Sequence, residues 1–490
     1  MSPRRGSTRS PGGSGESAQK ARTGLTLTVL SVAAFMAGLD LFIVNVAFDA
    51  IGRDFDGVSL ADLSWVLNGY AIVFAALLVP LGRLSDRLGR KRVFLLGLAL
   101  FTAASAACAA VDGLWPLVVF RVLQAVGAAA LTPASLGLLL SVFPVERRMG
   151  AVRIWSASGA LAAAAGPVVG GLLVNASWRW VFLVNIPVGV AALVVALWVL
   201  PESREARAGR LPDLLGTALI TGATGALALG LVKANDWPAT RTAGVLAVGA
   251  AGIVWFWLRS RRHAAPVIEP ALLRVRSFAW SNMAALTFSV AFAANLLATV
   301  LWMQQVWGYS ALRTGLGIAP GPLMVPVTAL LAARLSGRFT QGRIAAAGCV
   351  LCATGVALMA ASIGRTPHYA TELLPGWLIG GAGVGLALPT ILASATAQLP
   401  EDRFSTGSAV VNMSRQLGSV LGISVLVAIL GDPVTYDATH RAFVYAWLTV
   451  GVFMLAGGLT ALGMTPRSTA PRPSGGLVVE PAAEVARGNP

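Results

Sequence analysis

Charge is scarce in this 490-residue chain. Asp, Glu, Lys and Arg together make up 12%, about half of the roughly 25% usual for a soluble domain. With 56% hydrophobic residues and a mean hydropathy of +0.73, this excludes a large soluble enzyme and implies an integral membrane protein. Cysteine is nearly absent. Cys108, Cys349 and Cys352 provide no disulfide framework, and the C-x-x-C spacing of the last two lies inside an apolar run with no histidine nearby, so it reads as packing. Histidine is equally rare. His263, His368 and His440 fall in expected loops, leaving no candidate metal cluster. No G-x-x-x-x-G-K-[ST] phosphate loop is present, which argues against ATP hydrolysis as the energy source. Neither a nucleophile–base set nor a soluble catalytic domain supports an enzyme, and no signalling extension supports a receptor. Lysine is scarce too, at 3 against 34 arginines. That ratio points weakly to a GC-rich bacterial genome.

What the chain has in abundance is long apolar runs. A spanning helix needs about 20 such residues. The expected spans are 25–48, 64–82, 93–111, 114–140, 149–173, 180–200, 213–233, 242–258, 278–303, 314–334, 343–363, 373–397, 404–430 and 441–463. The chain is thus expected to be an all-α polytopic membrane protein with fourteen helices. The first run is too long for a signal-peptide core and contains Asp40 and Asn45. Residues 1–24 and 465–490 are rich in small residues and proline and read as disordered tails.

Charge tests the count. With both tails on the inside, 28 Lys/Arg fall in tails and inner loops, 7 in outer loops, and Arg121 and Arg415 within spans. This asymmetry follows the positive-inside rule and places both termini in the cytoplasm of a cell-membrane protein. The net charge of +16 is therefore partitioned by topology and does not form a nucleic-acid-binding face.

The loop between spans 2 and 3 reads Gly82-Arg83-Leu84-Ser85-Asp86-Arg87-Leu88-Gly89-Arg90-Lys91-Arg92. It resembles the G-x-L-x-D-R-x-G-R-[KR] loop of the major facilitator superfamily, with Gly82, Asp86, Arg87, Gly89 and Arg90 at fixed positions. The chain also repeats. Arg83–Arg87 recurs as Arg334-Leu335-Ser336-Gly337-Arg338 at an offset of 251, and Pro133, Pro144 and Arg147 recur as Pro389, Pro400 and Arg403 at an offset of 256. Residues 25–200 and 261–464 then form two six-helix halves, and 201–260 forms a linker with two inserted helices. The resemblance implies the two-half major facilitator fold, related by an axis along the membrane normal. Gly337 replaces Asp86 in the second copy, so the cytoplasmic latch is expected to be stronger in the first.

Of 21 acidic residues, only Asp40 lies well inside a span. A carboxylate at that depth is a functional candidate by default. Helix rise puts Asp40 and Arg121 both roughly 10–12 Å below the outer surface, so they are candidates for a charge pair. Burial favours the neutral form of a carboxyl and a guanidinium favours the charged form, which suits a group that exchanges protons. The plainer alternative is a permanent structural ion pair. Around Asp40, Gly38-Leu39-Asp40-Leu41-Phe42-Ile43-Val44-Asn45-Val46-Ala47 resembles the L-D-x-T-I-V-N-V-A-L-P signature of fourteen-helix drug:proton antiporters, departing at Phe42 and at Phe48-Asp49. Met36, Phe42, Ile43, Val44 and Asn45 are expected to line a substrate cavity, although the Asp40 face could instead pack on a neighbour.

Three further segments share that resemblance. Arg121-Val122-Leu123-Gln124-Ala125-Val126-Gly127 is similar to R-x-x-Q-G-x-G and puts Arg121 and Gln124 on one face, both expected in the cavity. Gly166-Pro167-Val168-Val169-Gly170-Gly171 resembles the G-P-x-x-G-G segment of exporters, expected to be a pliable contact against the second half. Trp178-Arg179-Trp180-Val181-Phe182-Leu183-Val184-Asn185-Ile186-Pro187-Val188-Gly189 resembles W-R-W-x-F-x-x-N-x-P-x-G, its aromatics read as interfacial anchors. In the second half Asn412, Arg415 and Gln416 form a polar patch near mid-membrane and are expected to line the substrate cavity. Arg415 could pair with helix carbonyls, contact an anionic substrate or approach a first-half acid.

The resemblance implies a monomeric exporter that exchanges protons for amphipathic drugs or antibiotics, driven by the proton gradient with no other cofactor. A dedicated exporter of one endogenous metabolite is the near alternative, and a proton-coupled importer the more distant one.

Overall fold

A computed structural model describes residues 13–204, 213–400 and 403–465. The expected tail residues 1–12 and 466–490, and Leu211 and Pro212 before the inserted pair, lie outside the described residues. Fourteen helices among those described are long and apolar enough to cross a membrane. They are α1 (Gly13–Asp54), α2 (Leu60–Leu88), α3 (Arg90–Ala110), α4 (Leu114–Val142), α5 (Val145–Val174), α6 (Trp180–Val199), α7 (Leu214–Val232), α8 (Ala239–Ser260), α9 (Arg276–Val306), α10 (Ala311–Leu335), α11 (Gln341–Ser362), α12 (Leu374–Thr396), α13 (Phe404–Leu430) and α14 (Tyr436–Leu462). No strand occurs among the described residues.

Two expectations change at the ends of helices. Residues 13–24 are helical, not disordered, because Glu16, Ala18, Gln19, Lys20, Ala21 and Arg22 are good helix formers and no proline separates them from the span. His440 lies in the first turns of α14, not in a loop.

Local chemistry sets several boundaries. Ser59 caps α2 by accepting from the Asp62 N–H, and Asp213 caps α7 by accepting from the Gly216 N–H. Gly89 joins α2 to α3 at φ +115°, a backbone state that L side chains rarely adopt, which explains the fixed glycine of the basic loop.

Helix pairing is the same in both halves. In the first, α1 packs on α5, α4 on α2 and α3, and α6 on α1 and α3. In the second, α9 packs on α13, α12 on α10 and α11, and α14 on α9 and α11. The halves meet along two seams, α2 against α13 and α5 against α10. Large apolar side chains face outward around the bundle, among them Leu96, Trp198 and Leu459, each 70% or more exposed, as a lipid-facing belt requires.

The inserted helices α7 and α8 pack on each other, and α7 lies across the seam between α2 and α13. Ala228 of α7 joins Ala71 and Ile72 of α2 and Val420 of α13 in one buried cluster. Lys233 at the end of α7 pairs with Asp62 at 2.9 Å, and Asn235 donates to the Ala428 carbonyl at 2.8 Å. Burial pulls the Lys233 ammonium down, but Asp62 and Asp236 outweigh it and hold the ammonium above its usual range. At the other end of the pair, Arg259 of α8 grips Asp213 at 2.8–3.0 Å.

Candidate functional site

The site is built around Asp40, about two-thirds of the way along α1 and fully buried. Its Oδ2 accepts from Arg121 Nη1 of α4 at 2.5 Å. Its Oδ1 accepts from Gln124 Nε2 at 2.9 Å and from Asn185 Nδ2 of α6 at 3.4 Å. Gln124 also donates to Ser105 Oγ of α3 at 2.7 Å, and Ser105 donates to the Phe101 carbonyl at 2.8 Å. Four helices of the first half thus converge on one carboxylate.

Arg121 is 1% exposed and makes more than the ion pair. Its Nη1 also donates to Gln124 Oε1 at 2.6 Å and its Nε to the Val66 carbonyl of α2 at 3.3 Å. The guanidinium lies 4.2 Å above the Tyr70 ring and 5.7 Å from the Phe182 ring. A buried guanidinium holds its charge only where such partners replace water. The arrangement keeps acceptors for Arg121 whether or not Asp40 carries its charge.

Equal depth in the membrane brings Asp40 and Arg121 together, as their positions along two antiparallel helices suggest. The structure nevertheless places Asp40, Arg121 and Gln124 inside the first half and not on an open cavity wall. Met36, Ile43 and Val44 differ from expectation in the same way. They are at most 2% exposed and belong to the continuous apolar core, because apolar side chains gain most from close helix packing. Asn45 is also buried and satisfies its amide within α1 by donating to the Leu41 carbonyl. Phe42 is half-buried, and its Cβ lies against Gly166 of α5.

Sequence reasoning missed Asn185, Ser105 and Tyr70. Asn185 had a visible signal, as a lone amide in an apolar run three residues after Phe182. Ser105 and Tyr70 had none, since serine and tyrosine in a span usually bond within their own helix or sit at its end.

The Trp178–Trp180 stretch divides. Trp180 is 48% exposed, as an interfacial anchor should be, whereas Trp178 is 4% exposed and is not an anchor. Trp178 Nε1 donates to Asp54 Oδ2 at 2.9 Å, and Arg179 reaches both Asp54 at 2.8 Å and Asp112 at 3.3 Å. These contacts tie the end of α1 and the α3–α4 turn to the start of α6.

The glycine–proline segment of α5 has two faces. Gly166 and Gly170 lie against Phe42 and Ile43 of α1. Gly171 lies against Ala311 and Leu312 of α10, and the Pro167 carbonyl abuts Gly315 of α10. Only glycine lets these backbones approach so closely. Near the same end, Gln304 Nε2 donates to the Val46 carbonyl of α1 at 3.0 Å from a π-helical turn, Trp302–Val306, that ends α9. The inner part of α10, Pro320–Leu335, barely touches α5. The space between the halves is therefore closed on the Asp54 side and wider on the side of the basic loops.

On that wider side Asp86 pairs with Arg90 at 2.7 Å, Arg90 reaches the Gly137 carbonyl of α4 at 3.5 Å, and Gly82 faces Pro133 of α4. Arg87 is exposed. Glu269, in the segment before α9, bonds Arg83 of the first half at 3.1 Å and Arg403 of the second at 3.2 Å.

Asn412, Arg415 and Gln416 lie in α13, half-buried. Arg415 Nη1 donates to Asn412 Oδ1 at 3.3 Å, and Asn412 Nδ2 donates to the Ser408 carbonyl at 3.1 Å. Among the described residues no acid pairs with Arg415.

Comparison with known proteins agrees with this architecture. The chain is 31% identical over 449 residues to the methylenomycin A resistance protein of Streptomyces coelicolor, covering 91% of this chain and 93% of that protein. It is 32% identical over 416 residues to the tetracenomycin C resistance and export protein of Streptomyces glaucescens, covering 84% and 76%. It is 33% identical over 410 residues to the multidrug resistance protein Stp of Mycobacterium tuberculosis, covering 83% and 75%. The fold matches a crystal structure of a peptide transporter, POT, in complex with sulfate, with a TM-score of 0.65 at 19% identity over 90% of this chain and 94% of that one. A D-xylose–proton symporter gives the same TM-score at 13% identity over 90% and 98%. The family model of the Major Facilitator Superfamily matches residues 30–423 and 283–482. The chain is a multi-pass membrane transporter, not an enzyme, and it belongs to the major facilitator superfamily.

Proposed function

We propose that the protein exports amphipathic organic compounds, antibiotics among them, across the cytoplasmic membrane in exchange for protons. The observation that carries this is the buried Asp40–Arg121 pair, at 2.5 Å, with Gln124, Asn185 and Ser105 closing around it. The relatives named for resistance and export support the direction and the class of cargo.

A proton arriving at Asp40 removes the charge that holds Arg121. Arg121 then keeps Gln124 Oε1, the Val66 carbonyl and the Tyr70 ring, so the cation is not stranded. What changes is the bond between α1 and α4. Because α1 carries Phe42 and Ile43 against the α5 glycines, and α5 carries Pro167 and Gly171 against α10, a shift of α1 reaches the seam between the halves. Alternating access would follow as the halves rock, with the basic loops and both termini in the cytoplasm and a single chain as the working unit.

Several relatives are named for one compound, which favours a dedicated exporter as the second reading. Both readings are tested by expression in a pump-deficient host, measuring intracellular accumulation of a panel of unrelated dyes and antibiotics. Export predicts accumulation at least a few-fold lower than in the empty host, abolished by a protonophore. Protection against many compounds marks broad specificity and protection against one marks a dedicated exporter. Exclusion that survives the protonophore contradicts proton coupling.

A further inference from the structure

The polar face of α13 has a one-sided need. Ser408, Asn412, Arg415 and Ser419 follow the 4-3-4 spacing of one helix face, and Gln416 flanks it. The neighbouring faces are occupied. Gly418 and Gly422 lie against Leu286 and Val290 of α9, and Ser424 meets Asn68 of α2 at 3.2 Å. The opposite edge is apolar, with Leu417 and Leu421, and suits lipid. A guanidinium facing lipid would have no acceptor, so the polar face belongs to the space between the halves.

Within that face two buried donors are left over. Asn412 Oδ1 accepts from Arg415, and the Arg415 carbonyl accepts from Ser419 Oγ at 3.1 Å. Arg415 Nε and Gln416 Nε2 are buried without an acceptor. Arg121, the other cation at membrane depth, is neutralised by Asp40, so Asp40 is not available to Arg415. A guanidinium has donors only, and buried donors normally have partners.

We propose that Arg415, flanked by Asn412 and Gln416, is an anion-binding subsite, and that the transported compounds are amphipathic acids bound through a carboxylate or phenolate oxygen. This rests on the exporter reading but has a separate test. The full-length protein, in nanodiscs of phosphatidylcholine at neutral pH, is titrated with a fluorescent amphipathic acid, 1-pyrenebutyrate, and with its methyl ester, and the ratio of the two affinities is read. An ion-assisted hydrogen bond predicts about tenfold preference for the acid in the native protein. The ratio falls to about one in Arg415→Gln and stays above one in Arg415→Lys, which keeps the charge. Elution as a single species and an unchanged melting curve certify each variant as folded, and if Arg415→Gln does not fold the Arg415→Lys ratio is compared with Gln416→Leu.

Equal binding of acid and ester by the native protein overturns the proposal, as does a preference that survives in Arg415→Gln. Phosphatidylglycerol nanodiscs separate the two sources of an anion. If that lipid abolishes the preference, a headgroup phosphate occupies the subsite and the transported-acid assignment fails. Binding preference without proton-coupled flux would instead discard the exporter reading and leave the subsite standing.

Discussion

At the scale of single residues, two arginines at membrane depth are treated very differently. Arg121 has a carboxylate, an amide oxygen, a carbonyl and an aromatic face. Arg415 has one amide oxygen. Removing one partner of a buried ion pair commonly costs about 3–5 kcal/mol, because the other charge is left uncompensated. Asp40→Ala should therefore lower the melting temperature in detergent markedly. Asp40→Asn, which keeps an acceptor oxygen for Arg121, should lower it much less. Melting curves that fall equally for both would show that the carboxylate's charge is not what Arg121 needs.

At the scale of helices, the glycines of α5 link the carboxylate site to the seam. A Cβ at Gly171 would lie 2.6 Å from the Ala311 carbonyl oxygen. Gly171→Val should therefore hold α5 and α10 apart, reducing transport at least several-fold while the protein still reaches the membrane. Unimpaired transport in that variant would dismiss the close approach as a working contact. On the other side, Glu269 joins Arg83 and Arg403 across the halves. With Glu269→Gln, two cations of opposite halves lose their shared anion. Partly exposed pairs of this kind are worth about 0.2–1 kcal/mol each, and only the Arg83 contact crosses the halves, so the population opened still wider on that side should rise about 1.4- to 5-fold. Spin labels at Leu88 and Phe339 would read this as a shift toward longer distances, and an unchanged distribution would remove Glu269 as a clamp.

At the scale of the whole molecule, fourteen helices follow from hydropathy and charge partition, since lipid demands long apolar helices and leaves few alternatives, and the two halves follow from the repeat of Arg83–Arg87 at Arg334–Arg338 and of Pro133 at Pro389. Partners across helices were less legible. Asp40 and Arg121 were matched by depth because two charges in a membrane have few places to go. The face they share was not, because apolar residues such as Met36 and Ile43 look the same on a cavity wall and in a packed core. Ser105 and Tyr70 gave no sign in the sequence, and Glu269 lies in a loop where an acid is unremarkable. The inserted pair shows why length alone does not reveal a role. Only the structure sets α7 across the seam of α2 and α13, with Lys233 and Asn235 fastening it to one half each.

On the proposed mechanism, Asp40 exchanges protons in step with cargo. Inverted membrane vesicles, energised by respiration and monitored with a pH-sensitive dye, test it directly. Added substrate should release protons from vesicles holding the native protein and leave the pH gradient unchanged in those holding Asp40→Asn, with both proteins present at equal levels. Proton release of native size from the Asp40→Asn vesicles would contradict the account.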